Sequence, residues 1–391
     1  MHSCLFSRKH LGGVLALTGL AALTPLTAQA APFAYTLTIL GALGATGNIS
    51  GSIGTAVNDS GQVAGYAAPP GQDTHAFLSA PNGGTLKDLG PLAGITSYGF
   101  SVNNSGQVAG YGFTAGVVNH AFLSGPNGGT LKDLGTLGGK ESIGYGVNDS
   151  GQVTGESAAT SSPHAFLSDP NGGALYDLGT LGGTGSYGFA VNATGQVAGD
   201  ASVAGNVTSH AFLSAVNGGV LHDLGAMGGS FSAGRGVNAS GQVVGFAHLG
   251  NFDHAFLSAA NGGVLTDLGT LSGTESRASG VNSGGQVVGN FTLGNGSLKA
   301  FVFSNNVMSD LNTLIAPGSG YTLQDAQGIS NTGFITGYAK NASGQTRAFL
   351  LTPTIPAVPE ASSVVSLSLL LLLGMGGVIV AARRKKSSEV N

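Results

Sequence analysis

The stretch 97–134, SYGFSVNNSGQVAGYGFTAGVVNHAFLSGPNGGTLKDL, decides the fold. Ser97-Tyr98-Gly99-Phe100-Ser101-Val102 alternates small and large residues, the period-2 signature of a strand with one buried face. Asn103-Asn104-Ser105-Gly106 reads as a tight turn, where Asn bonds its own backbone and Gly supplies the positive φ of a bulged hairpin. Gln107-Val108-Ala109-Gly110-Tyr111 returns as a second strand, and His120-Ala121-Phe122-Leu123-Ser124 follows as a third after a variable loop. Pro126-Asn127-Gly128-Gly129 turns the chain again into Thr130-Leu131-Lys132-Asp133-Leu134, the fourth strand.

This unit recurs along the chain. His-Ala-Phe begins at His75, His120, His164, His210 and His254, and continues as Lys299-Ala-Phe and Arg347-Ala-Phe, at spacings of 45, 44, 46, 44, 45 and 48 residues. The Val-Asn…Gly-Gln-Val hairpin recurs at Asn58, Asn103, Asn148, Asn192, Asn238 and Asn282, and degenerates to Ile329-Ser330-Asn331-Thr332-Gly333-Phe334-Ile335. Four short antiparallel strands per 45-residue period describe a propeller blade, so the expected class is all-β, a seven-bladed β-propeller. The last copy stops at Arg347-Ala348-Phe349-Leu350-Leu351 without a fourth strand, whereas residues 35–43 match the Leu-x-Asp-Leu-Gly-x-Leu segment of the other copies. The chain therefore begins with the strand its last blade lacks, and pairing the two closes a ring and covers its edges. The alternative, an open β-solenoid, would need capping units at both ends, and none is visible. The recurring Phe77, Phe122, Phe166, Phe212, Phe256, Phe301 and Phe349 are expected to pack between blades, each worth about 1.5–3 kcal/mol of transfer free energy.

The two ends of the chain read as targeting devices. Residues 1–30 form a signal peptide: Arg8, Lys9 and His10, an apolar run, then Ala28-Gln29-Ala30. The repeats occupy 31–352, a linker with a Pro-Glu motif 353–363, a transmembrane helix 364–382, and a basic cytoplasmic tail 383–391. The uncharged 364–382 stretch spans about 28 Å as a helix, enough for a hydrocarbon core, with Arg383, Arg384, Lys385 and Lys386 held on the cytoplasmic side. Without these end segments, eight Lys and Arg face sixteen Asp and Glu, and such an acidic body repels phosphate backbones, which argues against nucleic acid as a partner. Cys4, the only cysteine, leaves with the signal peptide, so stability must come from packing rather than disulfides.

The His-Ala-Phe unit, with Asp-Leu-Gly-x-Leu-Gly-Gly and Val-Asn-x-x-Gly-Gln-Val around it, resembles the HAF repeat of bacterial extracellular proteins. The tail, with Val358-Pro359-Glu360 before the apolar span and the basic cluster, resembles a PEP-CTERM sorting signal. That resemblance implies an exosortase-type processing enzyme as partner, in a Gram-negative bacterium that makes exopolysaccharide or biofilm matrix. The chain departs from the pattern at Ala361, where the family usually has a second proline. Neither resemblance brings a catalytic residue.

The repeated residues read as structure. Five histidines at equivalent places in separate blades cannot share one tetrahedral ion, and Lys299 and Arg347 replace them in the last copies, so no metal and no cofactor is expected. The histidines are expected to make strand-end hydrogen bonds. Asp88, Asp133, Asp177, Asp223, Asp267 and Asp310 read as turn or inter-strand acceptors rather than glycosidase pairs. Asn58-Asp59-Ser60-Gly61 and its equivalents read as turns, since they lack the alternating acids and final Glu of a calcium loop. The non-repeating charges are Lys140, Glu141, Glu156, Arg235, His248, Glu275 and Arg277. Of these, Arg235, Glu275 and Arg277, expected in the connections entering first strands, form the candidate ligand site at one channel mouth. Tyr98, Tyr145 and Tyr187 are candidates either for stacking on sugars or for the core.

The function expected is that of an exported, exosortase-sorted surface or biofilm-matrix interaction protein without a catalytic site, transiently anchored through its C-terminal helix and binding exopolysaccharide or other surface proteins. The alternatives are a carbohydrate-binding propeller, or an exported carbohydrate-active enzyme using acids such as Glu141 and Glu275.

Overall fold

The computed structural model describes residues 34–44, 51–69, 71–158 and 162–354. The expected signal peptide 1–30, the expected sorting residues Val358, Pro359 and Glu360, the expected transmembrane span 364–382 and the basic tail lie outside the described residues. Among the described residues, no helix is long and apolar enough to cross a membrane.

The described residues form seven four-stranded antiparallel sheets, each built from strands that follow one another along the chain, with one exception. Blades I to VI occupy 52–88, 97–133, 142–177, 182–223, 232–267 and 275–310. Blade VII takes three strands from 321–353 and its outermost strand, Tyr35–Ile39, from the other end of the chain. That strand pairs antiparallel with Thr346–Pro353 in the register Tyr35↔Pro353 to Ile39↔Phe349. Leu40 and Leu43 then bury themselves against Val57, Val63 and Phe77 of blade I. The expected closure is present. The last strand runs to Pro353, one residue past the expected repeat boundary.

Aromatic residues fill the spaces between blades. All seven Phe of the Ala-Phe motifs are fully buried. Phe212 of blade IV packs on Ala165 and Leu167 of blade III as well as on Val197 and Ala201 of its own sheet. In blades I to IV and VI the ring lies over the glycine that precedes the variable residue of the second strand. A Cβ on Gly199 would stand 1.8 Å from the Tyr187 carbonyl oxygen and 2.8 Å from the Phe212 ring. Glycine is required there by close approach, since that backbone is extended.

Two rings of hydrogen bonds explain why Asn and Ser recur. In each of the first six blades the turn Asn accepts from backbone N–H groups two and four residues on, as Asn148 does from Ser150 at 3.2 Å and Gln152 at 3.0 Å. Its Nδ2 donates both to the Gln Oε1 and across to the next blade, as from Asn148 to the Asn192 carbonyl at 3.0 Å. A buried amide with every valence satisfied ties neighbouring blades together near the axis. The first-strand serines do the same farther out. Ser142 Oγ accepts from Ala121 N–H at 2.9 Å in the previous blade, and Ser52 Oγ accepts from Ala348 N–H at 3.0 Å, joining blade VII to blade I.

The motif histidines pair with the acids of the fourth strand. Nδ1 donates to Asp at 3.1 Å in His75–Asp88 and 2.9 Å in His120–Asp133 and His254–Asp267. The same Asp accepts from the backbone N–H two residues on, as Asp133 does from Gly135 at 2.8 Å. The substitutions in the last copies follow from this. In blade VII the outer strand places Ile39, not an acid, opposite Phe349, and Arg347 stands where His stood. In blade VI Asp310 instead caps a short helical turn by accepting from Asn312 N–H at 2.8 Å.

Candidate functional site

The first strand of every blade carries an irregularity that alternation alone does not show. The register between first and second strands shifts by one residue two positions before the turn valine, as between Gly144 and Gly146 in blade III. The same shift occurs at Gly54/Ala56, Gly99/Ser101, Gly188/Ala190, Gly234/Gly236, Ala278/Gly280 and Ala326/Gly328. A bulge of this kind leaves one residue unpaired and re-aims its side chain. The seven bulge residues are Thr55, Phe100, Tyr145, Phe189, Arg235, Ser279 and Gln327, and all of them line one cavity of about 500 Å³ on the propeller axis.

This upper cavity is separated from a lower one of about 200 Å³ by a girdle of Val57, Val102, Val147, Val191, Val237 and Ile329, which lines both. The first valine of the Val-Asn motif therefore forms the waist of the channel. The turn asparagines surround the lower mouth. Side chains there bond one another, with Asn104 Nδ2 donating to Asp59 and Asp149 at 3.1 Å each, as the turn reading requires.

The upper wall divides into an aromatic and a polar half. Tyr66, Phe100, Tyr145 and Phe189 line the cavity over blades I to IV, in ring contact with Tyr98, Tyr111 and Tyr187, which do not line it, with centroids 5.1 Å apart for Tyr66–Tyr98, 4.9 Å for Tyr98–Tyr111, 5.6 Å for Phe100–Tyr145 and 5.1 Å for Tyr145–Phe189. Where these rings end, Arg235 lays its guanidinium carbon 3.9 Å from the Phe189 centroid. Among the described residues Arg235, half-buried, makes no ion pair or side-chain hydrogen bond. Ser279, Gln327 and Thr55 complete the ring with hydroxyls and an amide.

Two of the acids nearby are carried by the second strands, at the position after the glycine, and a third, Asp325, by the first strand of blade VII. The position after the second-strand glycine holds Tyr66, Tyr111, Glu156, Asp200, Phe246, Asn290 and Tyr338 in the seven blades. Burial pushes Asp200 up to about 6, with Arg235 opposing the shift and Glu156 adding to it. Burial likewise raises Glu156, against the hydrogen bond it accepts from Tyr145 Oη at 2.7 Å. The same environment raises Tyr145, through burial first and the Glu156 charge second. Arg235 is lowered by burial, against the attraction of Asp200 and Tyr145. Asp325 is raised by burial, and accepts from Asn290 Nδ2 at 3.0 Å and from Gln327 Nε2. Carboxyls that burial penalises in this way are found at working sites more often than elsewhere.

The structure brings together two of the three expected ligand residues. Arg235 lines the cavity, and Arg277 stands near it, its guanidinium carbon 4.9 Å from the Phe246 centroid and its Nε donating to Asp253 at 2.6 Å. His248 pairs with the other oxygen of Asp253. Glu275 opens the first strand of blade VI opposite Thr292 and is not part of the cavity wall. All three lie within first strands, not in the connections entering them: the strand at Ser97–Val102 corresponds to Ser232–Val237 in blade V, and in blade VI it begins one residue earlier, at Glu275. Glu141 is exposed on the connection before Ser142, and it too is absent from the wall. Tyr145 holds the bulge position of Phe100 and Phe189, whereas Tyr98 and Tyr187 stand two residues farther from the turn. The sequence reading missed Phe100, Phe189, Asp200, Asp325 and Gln327. For Phe100, Phe189, Gln327 and Asp200 the signal was failure to repeat, since the bulge and the residue after the second-strand glycine change from copy to copy. Among the described residues no three His, Cys, Asp or Glu side chains gather as a metal site.

No protein-family model and no curated protein sequence matches the chain. Among solved structures it is similar to the β-propeller domain of the Trilobed protease from Pyrococcus furiosus, with a TM-score of 0.51 at 8% identity over 80% of this chain and 100% of that one. That domain is described as having an open velcro topology, whereas here Tyr35–Ile39 pairs with the last strand. The chain also resembles TolB from Acinetobacter baumannii, with a TM-score of 0.45 at 13% identity over 74% of this chain and 63% of that one. A puromycin hydrolase aligns with a TM-score of 0.48 at 13% identity over 85% of this chain and 57% of that one. At these identities the likeness concerns the fold.

Proposed function

We propose that this chain is an exported, non-enzymatic binding propeller, delivered to the cell surface or biofilm matrix, whose upper channel mouth is the seat for a matrix ligand. The observation that carries the reading is the set of seven bulge residues, one per blade, all facing one cavity and differing in chemistry from blade to blade. A scaffold this regular has no structural need for Phe189, Arg235 and Gln327 at equivalent places. Seven bulges aimed at one volume suit recognition of an asymmetric ligand, and about 500 Å³ is within the usual range for a ligand pocket. The signal peptide, the Val358-Pro359-Glu360 motif and the basic tail support delivery by an exosortase-type enzyme after export.

Co-sedimentation with purified exopolysaccharide of the producing bacterium tests the reading. Replacing Phe100 or Phe189 by Ala should remove most binding, while His120→Ala, on the outer edge, should leave it intact. Equal loss from both kinds of variant would refute the assignment of the mouth. An enzymatic reading would draw on Glu156 and Asp200, two half-buried or buried acids on neighbouring second strands, and polysaccharide cleavage abolished by Glu156→Gln would replace the binding reading.

A further inference from the structure

The mouth joins an aromatic wall to one guanidinium that has no partner. Arg235 lines the cavity with five N–H donors, and no carboxylate among the described residues comes within ion-pairing distance of it. Half-buried between the Phe189 and Phe246 rings, at 3.9 Å and 5.6 Å, and attracted by Asp200 without an ion pair, the guanidinium keeps N–H donors that a ligand acceptor would satisfy. Arg277 nearby is different, because Asp253 already occupies its Nε and Nη2. The planar fork of Arg235 matches the two oxygens of a carboxylate. Phe189 and Tyr145, beside it on the wall, offer ring faces to a sugar's C–H face, and Gln327 and Ser279 offer hydrogen bonds to hydroxyls. Glu156 and Asp200 act electrostatically on the same region, which disfavours a doubly charged group such as phosphate. The valine girdle bounds the cavity from below, so a ligand enters from the upper face.

Building on the mouth assigned above as the binding seat, we propose that its ligand is a carboxylate-bearing sugar residue at a chain end, stacked on Phe189 and Tyr145 and held through its carboxylate by Arg235.

Titration calorimetry on the full chain tests this with matched neutral and uronic disaccharides of the gluco, galacto and manno series, and with glucose 6-phosphate. In at least one series the uronic member should bind about tenfold or more tightly than its neutral match, as a charge-assisted hydrogen-bond pair implies. Arg235→Gln should abolish that preference, lowering the uronic member's affinity about tenfold relative to its neutral match. Arg235→Lys, which keeps the charge but not the fork, should retain only part of the preference. Equal or tighter binding of every neutral member overturns the proposal, as do tighter binding of the phosphate, a preference that survives Arg235→Gln, or no saccharide binding at all. If these results appear while Phe100→Ala still abolishes exopolysaccharide binding, the carboxylate assignment fails and the mouth remains the seat.

Discussion

Replacing Asp200 by Asn should stabilise the propeller at neutral pH, and by an amount that depends on pH in a defined way. Asp200 is 8% exposed, on the second strand of blade IV, and its carboxyl is pushed up to about 6 from an ordinary 3.8. Between those two values the folded chain holds the proton more firmly than the unfolded chain does. Stability therefore falls as pH rises through the window from about 4 to about 6, and the whole penalty is present above it. At about 1.4 kcal/mol per unit, the raised carboxyl costs about 3 kcal/mol at pH 7.5, net of the attraction to Arg235. Asn keeps the shape without the charge. Denaturant titrations of both proteins at pH 3.5, 5 and 7.5 should give a difference near zero, then partial, then about 3 kcal/mol in favour of the variant. A difference independent of pH, or a less stable variant at pH 7.5, would refute the reasoning, and would make Asp200 a structural partner of Arg235 instead of an acid retained at a stability cost.

Other consequences follow from the packing and the closure. Phe212→Ala should cost about 3–5 kcal/mol through the cavity left between blades III and IV, and an unchanged denaturant midpoint would contradict that core assignment. Asn148→Ala should cost about 1–3 kcal/mol, because the Asn192 carbonyl, the Gln152 amide and two backbone N–H groups lose a partner; a neutral effect in the same titration would show that the axial ring is not cohesive. Gly199→Ala should destabilise more than an exposed Gly→Ala change such as at Gly294, since its Cβ meets the Tyr187 carbonyl; equal thermal midpoints would contradict the close approach. Truncation before Pro359 should release the exported protein into the periplasm or medium, and unaltered membrane retention on fractionation would argue against an anchor beyond that point.

Much of the fold was legible because the physics repeats with the sequence. Gly106 adopts φ +68 in the turn where a positive value was expected, and Asn127 and Gly128 do so in the next. The missing fourth strand and the match of 35–43 to the Leu-x-Asp-Leu-Gly segment announced the closure, down to Leu40 and Leu43 occupying a buried seat. The site was less legible, since a bulge moves one side chain without altering composition. A single extra residue at Tyr145 reverses which face the following residues present, so alternation read through it assigns facings wrongly. Arg235 and Arg277 stood out as charges, but their convergence depends on the first strands of adjacent blades V and VI packing side by side. Glu275, on the same strand as Arg277 and with equal claim from sequence, stays off the wall because it lies four residues above the bulge residue Ser279.

The account's central claim is that the seven bulge residues aim one ring of unlike side chains at a ligand. A crystal structure of the chain soaked with oligosaccharides released from the producing bacterium's matrix tests it most directly. The account predicts a sugar ring against Phe189 with an acceptor on Arg235; an empty upper cavity with sugar bound on the outer His–Asp edge or at the lower mouth would contradict it.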